Sequence, residues 1–317
     1  MRFKEFRSTR DAYGEVLVEL GKQNRSIVVL DADTSSPTRT KLFADTFPER
    51  FFNVGIAEQN LIGIAAGLAT CGKIPFASSF PVFVPGKCVD QIRNTVAYPR
   101  LNVKIVATHS GLGIGADGAT HQSVEDIAIM RAIPNMMLVV PADTVQTKKA
   151  IRSIAEHQGP VYVRLCRQPT PVVYDEDCSY ALGKGILLAD GSDATVVACG
   201  TMVAEALLAA EKLREKGISV AVIDMHTVKP IDEELIVKAA RETGAIVTAE
   251  EHNVIGGLGG AVSEVLVEKY PVRMRRVGVN DVFGESGEAD ELMIKYGLTA
   301  GNIAENVEQL IRSRVGK

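Results

Sequence analysis

The chain has 317 residues, 46% hydrophobic and 23% charged, the length and composition of a soluble globular protein with room for two ordinary domains. Lys and Arg number 35 against 39 Asp and Glu, a net charge of −4 with neutral histidine, which excludes the basic field expected of a nucleic-acid or anionic-membrane binder. The five cysteines, Cys71, Cys88, Cys166, Cys178 and Cys199, lack paired metal-ligand spacing and four sit among apolar neighbours, so no metal site and no disulfide framework is expected, only buried free thiols in a reducing compartment.

Met1 to Arg7 carry no apolar run that could act as a signal peptide, and no segment reaches the length of a membrane span, so a cytoplasmic protein is expected. Ser8 or Thr9 can cap a helix running to about Gln23, and Ser26 to Asp31 read as a buried parallel strand. The same strand signature returns at 74–78, 103–107, 136–140 and 161–165. Helical segments near 86–97, 123–132 and 143–156 separate these strands, the alternation required by a parallel sheet covered on both faces. Cys166 to Asp177, with two prolines and a cluster of acids, read as a linker. A second series follows: strands at 194–198, 219–223, 245–249 and 272–277, with helices over roughly 203–216, from 232 and from 257. The pattern predicts two consecutive three-layer α/β domains with mainly parallel sheets, 1–172 and 173–317.

Glu58 is the residue most in need of an explanation. It opens a segment with Leu61, Ile62, Ile64, Ala65, Ala66, Leu68 and Ala69 on several faces, which as a helix is expected to be buried all round. A carboxylate there must find partners or keep its proton and donate it; a favourable seat at a positive helix N-terminus is the plainer alternative. Further on, Ala107-Thr-His109-Ser-Gly-Leu-Gly-Ile-Gly-Ala-Asp117-Gly-Ala-Thr-His121-Gln122 is a glycine-rich loop holding two of the five histidines. The twelve-residue spacing of His109 and His121 does not suit a helical metal pair.

Together the glutamate segment and this loop resemble the pyrimidine-binding half of the transketolase family. The resemblance implies that Glu58 binds a ring nitrogen of thiamine diphosphate and promotes its activation. Phe80 and Phe83 match the family's aromatic pair that walls the cofactor ring, with Phe83 the better stacking candidate; Gly86 stands where some members have tyrosine, so that wall is thinner or differently filled. His109 and Asp117 match residues that bind sugar hydroxyls, and His121 one that assists proton transfer near the reacting carbonyl, so Glu58, His109 and His121 are the catalytic candidates. Arg10, Ser36 (or Ser35) and Arg167 match phosphate-binding positions, with Arg164 the alternative to Arg167.

The Gly-Asp-Gly motif that such enzymes use to hold the diphosphate through Mg2+ is missing. The resemblance covers nearly all of this chain but only the second half of a full-length transketolase. It therefore implies a split transketolase, with a separate N-terminal subunit supplying Mg2+ and the diphosphate ligands, two such pairs self-associating about a two-fold axis into a heterotetramer, and sugar phosphates as substrates. Rival readings are the β subunit of a 2-oxo acid dehydrogenase decarboxylase, a deoxyxylulose phosphate synthase-like enzyme, and a non-catalytic partner of an active paralogue. Gly-Ala-Asp-Gly-Ala-Thr-His-Gln resembles the sugar-handling enzymes, and Thr108-His109 favours transketolase over the synthase, which tends to carry an acidic residue at 109. Gly256 to Gly260 have the wrong spacing for a nucleotide loop and read as a tight start to a helix, and Glu250-Glu251-His252 as a hydrogen-bonded strand end.

Overall fold

The structure is a computed structural model that describes residues 3–315. In chain order the first eight strands are β1 (Phe6–Ser8), β2 (Ile27–Asp31), β3 (Phe51–Asn53), β4 (Ile74–Ser79), β5 (Lys104–Ala107), β6 (Met137–Val139), β7 (Val161–Arg164) and β8 (Pro169–Pro171). They continue with β9 (Ile186–Ala189), β10 (Ala194–Ala198), β11 (Val220–Asp224), β12 (Thr227–Lys229), β13 (Ala245–Asn253) and β14 (Arg273–Val279). The first sheet has the order β12-β6-β7-β5-β4-β2-β3, the second β14-β13-β10-β11-β9. All pairings within β2 to β7 are parallel, as are those of β10 with β11 and β13 and of β13 with β14. Strands β5, β7, β10 and β11, built mainly of Val, Ile and Ala, are buried along their whole length, because helices cover a parallel sheet on both sides.

The stretch read as a linker is an ordered one: β8 pairs antiparallel with β1, and the N–H groups of Val173 and Tyr174 donate to Asp143 Oδ2 at 2.7 and 2.8 Å. Other features depart from expectation. The short strand β12 follows β11 in the chain yet joins the edge of the first sheet, antiparallel to β6. Helix Glu58–Thr70 is also not buried all round. Leu61, Ile62, Ala65 and Ala66 face the core, while Gln59, Asn60, Gly63, Gly67 and Thr70 are exposed. Among the cysteines, Cys88, Cys166 and Cys199 are buried free thiols, but Cys71 is exposed and Cys178 half-buried.

Polar groups also cross between the sheets. Asp224, at the end of β11, accepts from Gln146 Nε2 and Tyr174 Oη, both at 2.6 Å. Burial raises its carboxyl pKa to about 7, against the opposing pull of those two hydrogen bonds. Its unfolded-state value is 3.8, so the folded chain holds the proton over a range where the unfolded chain has lost it. Stability from this group is therefore greatest at acid pH and falls as the pH rises through about 7. Asp224→Asn keeps the shape without the charge. It is expected to flatten that part of the slope in thermal unfolding between about pH 4 and about pH 7; an unchanged slope refutes the assignment.

Candidate active site

Ligands of open α/β sheets lie outside the carboxyl ends of the strands, and the candidate residues follow those ends. Glu58 comes after β3, Phe80 and Phe83 after β4, His109 after β5 and Arg167 after β7, while Ser36 lies on a turn after β2. The Asp31 carboxylate, at the end of β2, builds that turn by accepting from Thr34, Thr38 and Thr40.

Glu58 is 5% exposed and is the first residue of its helix. Its Oε2 accepts from Lys87 Nζ at 3.2 Å, so the buried acid has a cationic partner. Lys87 also stands over the Phe83 ring, 4.5 Å from its centroid. Phe83 lies stacked beside Phe80 at 5.8 Å and edge-on to His121 at 5.4 Å. Phe80 in turn stacks on His109 at 4.1 Å. The acid, both aromatics and both histidines thus form one continuous wall.

His109 is buried and holds a left-handed backbone (φ 71°), an uncommon conformation for a side chain of this size that clusters at functional sites. Arg10 Nη1 lies 3.1 Å from its Nε2, and Thr108 Oγ1 2.8 Å from its Nδ1. Arginine can only donate, so Nε2 accepts and the ring proton sits on Nδ1, facing Thr108. Burial first, and the Arg10 charge next, hold the ring pKa down to about 3. His109 is a neutral acceptor that orients Arg10. The half-buried His121 has Thr120 Oγ1 3.0 Å from its Nδ1.

Arg10 also donates to Pro37 O at 3.1 Å, joining it to the turn that carries the exposed Ser36. Its Nε is buried without a hydrogen-bond partner among the described residues. Arg167 bonds Ile114 O at 3.0 Å and Asp117 Oδ2 at 3.2 Å, both partners lying in the glycine-rich loop. Arg39 was not found from the sequence. It pairs with Asp11 at 2.5 Å and, with Arg167, adds its positive charge to the field felt by Arg10 and His109. Its only signal is a left-handed backbone (φ 68°), which sequence does not display.

Burial separates Arg164 from Arg167. Arg164 is sequestered: its Nε bonds both oxygens of Asp126 at 3.1 and 2.9 Å, and its Nη2 bonds Ser123 O and Glu251 O at 3.2 and 2.9 Å. Arg167 is the half-exposed one at the loop.

The glycine-rich loop is gripped from the second sheet. Glu251 Oε1, at the end of β13, accepts from Gly113 N at 2.7 Å, and a Cβ at Gly111 (φ 68°) would lie 2.2 Å from that oxygen. Gln122 Nε2 donates to Gly115 O and to Glu285 O at 3.1 and 2.9 Å. The neighbouring Glu250 accepts from Leu258 N and Gly259 N at 2.7 and 2.8 Å, starting helix Leu258–Lys269 tightly as expected. Among the described residues no group of three or more His, Cys, Asp or Glu side chains could hold a metal ion. No described helix is long and apolar enough to cross a membrane.

The model of the transketolase pyrimidine-binding domain matches residues 6–172, and that of the transketolase C-terminal domain matches residues 183–303. This chain belongs to the transketolase family. A putative transketolase C-terminal section from Methanocaldococcus jannaschii is 55% identical over 305 residues, covering 95% of this chain and 96% of that protein. A 6-deoxy-6-sulfo-D-fructose transketolase subunit from a Clostridium species is 48% identical over 301 residues, covering 95% and 94%. The transketolase of Pongo abelii is 36% identical over 308 residues, which make up 96% of this chain but 49% of that protein. Among solved structures, a split gene transketolase described as an inactive beta4 tetramer superposes with a TM-score of 0.90 at 55% identity, covering 96% of this chain and 98% of that one. This transketolase-family chain thus matches relatives named as a transketolase C-terminal section and a transketolase subunit along nearly their whole length, and the Pongo abelii transketolase along about half.

Proposed function

We propose that this chain is the C-terminal subunit of a two-chain, thiamine diphosphate-dependent transketolase that moves a two-carbon ketol unit from a ketose phosphate to an aldose phosphate. The observation that carries the reading is the buried Glu58 carboxylate in a cleft lined by Ile56 to Asn60 and Lys87, with the Lys87 ammonium between it and the half-exposed Phe83 ring. A buried acid next to a flat apolar face fits an aminopyrimidine: the carboxyl group meets a ring nitrogen and the aromatic stacks on the ring. When bound, thiamine diphosphate supplies the nucleophilic carbon that takes up the ketol fragment.

This chain's own groups do the rest. Glu58 holds the proton at the ring nitrogen, and Phe83 with Phe80 excludes water from one face. His121 moves a proton at the reacting carbonyl. Asp117 accepts from sugar hydroxyls. Arg10, Arg167 and the Ser36 turn receive the phosphate, with Arg10 Nε as a donor still to be satisfied.

The diphosphate and Mg2+ fall to a separate N-terminal subunit, because this chain has no Gly-Asp-Gly motif. The exposed face of helix Glu58–Thr70, rich in small residues, is where we place subunit contact in a two-fold heterotetramer in the cytoplasm. The expected result is ketol transfer from xylulose 5-phosphate to ribose 5-phosphate only when both chains, thiamine diphosphate and Mg2+ are mixed. Full activity of this chain alone, or none with the matching N-terminal protein, refutes the proposal.

A further inference from the structure

Lys87 fills the gap between the two groups just assigned to the cofactor ring. Its Nζ donates to Glu58 Oε2 at 3.2 Å and lies 4.5 Å from the Phe83 centroid. Its backbone is tied to the same helix, since Gln59 Nε2 donates to Lys87 O at 3.0 Å. Nothing lies within 4 Å of a Cβ added at Gly86, so no side chain from that position competes for the space. The ammonium uses both surfaces that a ring would use: the carboxylate provides charge and the aromatic face its negative quadrupole. An aminopyrimidine stacked on Phe83 and bonded to Glu58 cannot share the gap with it. The pair is built to open, because the Lys87 side chain is 50% exposed and that of Glu58 only 6%. The ammonium can turn to water, and ion pairs with an exposed member contribute little.

We propose that Lys87 is the resident occupant of the ring half-site: in the unloaded chain it satisfies the buried Glu58 carboxylate and covers Phe83, and it swings into solvent when the aminopyrimidine enters. The inference rests on the cofactor reading above. It explains how an acid placed for a ligand stays paired before the ligand arrives, when leaving it alone would be costly.

The test is the affinity of the two-chain complex for thiamine diphosphate, measured by titration calorimetry in the wild type, Lys87→Met, Lys87→Arg, Glu58→Gln and the Lys87→Met/Glu58→Gln double variant. Lys87→Met keeps the stem and removes the charge. It is expected to bind about three- to fivefold more tightly, the range open to a half-exposed ion pair, and Lys87→Arg within about twofold of wild type. In the Glu58→Gln background the Met substitution is expected to change little, a coupling that a merely structural lysine would not give. Unchanged or weaker binding by Lys87→Met overturns the proposal, as does a gain that persists in full without the Glu58 charge. If thiamine diphosphate binds and Glu58→Gln weakens it while Lys87→Met is neutral, only the Lys87 assignment falls. If no form binds, the cofactor reading falls and Lys87 with it.

Discussion

Glu58→Ala in the assembled enzyme is expected to lower ketol transfer by about a hundred- to ten-thousandfold, the range associated with removing a positioned acid or base. The chain itself should stay folded. The side chain lost is a carboxylate whose partner, Lys87, is half-exposed and can turn to water, and the helix behind it is held by Leu61, Ile62, Ala65 and Ala66 in the core. Thermal unfolding of the variant should therefore remain close to wild type while turnover collapses. Glu58→Gln sharpens the distinction, because it keeps a hydrogen-bonding group in place but cannot release a proton to the ring nitrogen. Both variants are read in the same assay, xylulose 5-phosphate with ribose 5-phosphate at saturating thiamine diphosphate. Wild-type turnover by Glu58→Ala would remove the acid from the chemistry altogether.

Much of this site was legible because its signals are local. Strands β2, β4, β5, β6 and β7 announce themselves as apolar runs, since a parallel strand buried on both faces has no polar side to show. The histidines and Asp117 lie in one glycine-rich loop that matches as a block, and Glu58 is an acid at the head of an apolar segment. What was not legible depends on approach through space. Strand β12 is Thr227-Val-Lys229, too short to carry a period, and only docking onto β6 makes it part of the first sheet. Arg39 and Lys87 are single charged residues in unremarkable surroundings, and the Glu250-Glu251-His252 strand end does not name Gly113 as its partner; their contacts with Asp11, Glu58 and Gly113 span residues far apart in sequence. Helix Glu58–Thr70 misled because Ile64, Leu68 and Ala69, which spread its apolar residues over several faces, are only half-buried. Gly63 and Gly67 have nothing within 4 Å of an added Cβ and lie on the open face.

Arg164 and Arg167 are three residues apart, one at the end of a strand and one just past it, so sequence alone left either as the phosphate ligand. The structure separates them by environment, and their substitutions should separate by readout. Arg164→Met removes the cation that holds Asp126 in place. Asp126 would keep the Tyr162 hydroxyl at 2.8 Å but lose two guanidinium contacts, and Ser123 O and Glu251 O would lose their shared donor. Breaking a buried ion pair from one side costs about 3–5 kcal/mol, against a total stability of about 5–15 kcal/mol for an ordinary folded domain. The expected result is a large loss of thermal stability or no soluble protein. Because Arg164 joins Ser123 in the first sheet's loop to Glu251 in the second, the variant should also loosen the glycine-rich loop that Glu251 holds through Gly113. Adding Asp126→Asn to Arg164→Met removes the stranded charge, and part of the loss should return, as a double-mutant cycle on a contacting pair requires. Arg167→Met should behave in the opposite way: unfolding within about 0.5 kcal/mol of wild type, as for an exposed position, but a raised KM for phosphorylated sugars. An Arg164→Met protein with wild-type thermal stability and a raised KM would exchange the two roles.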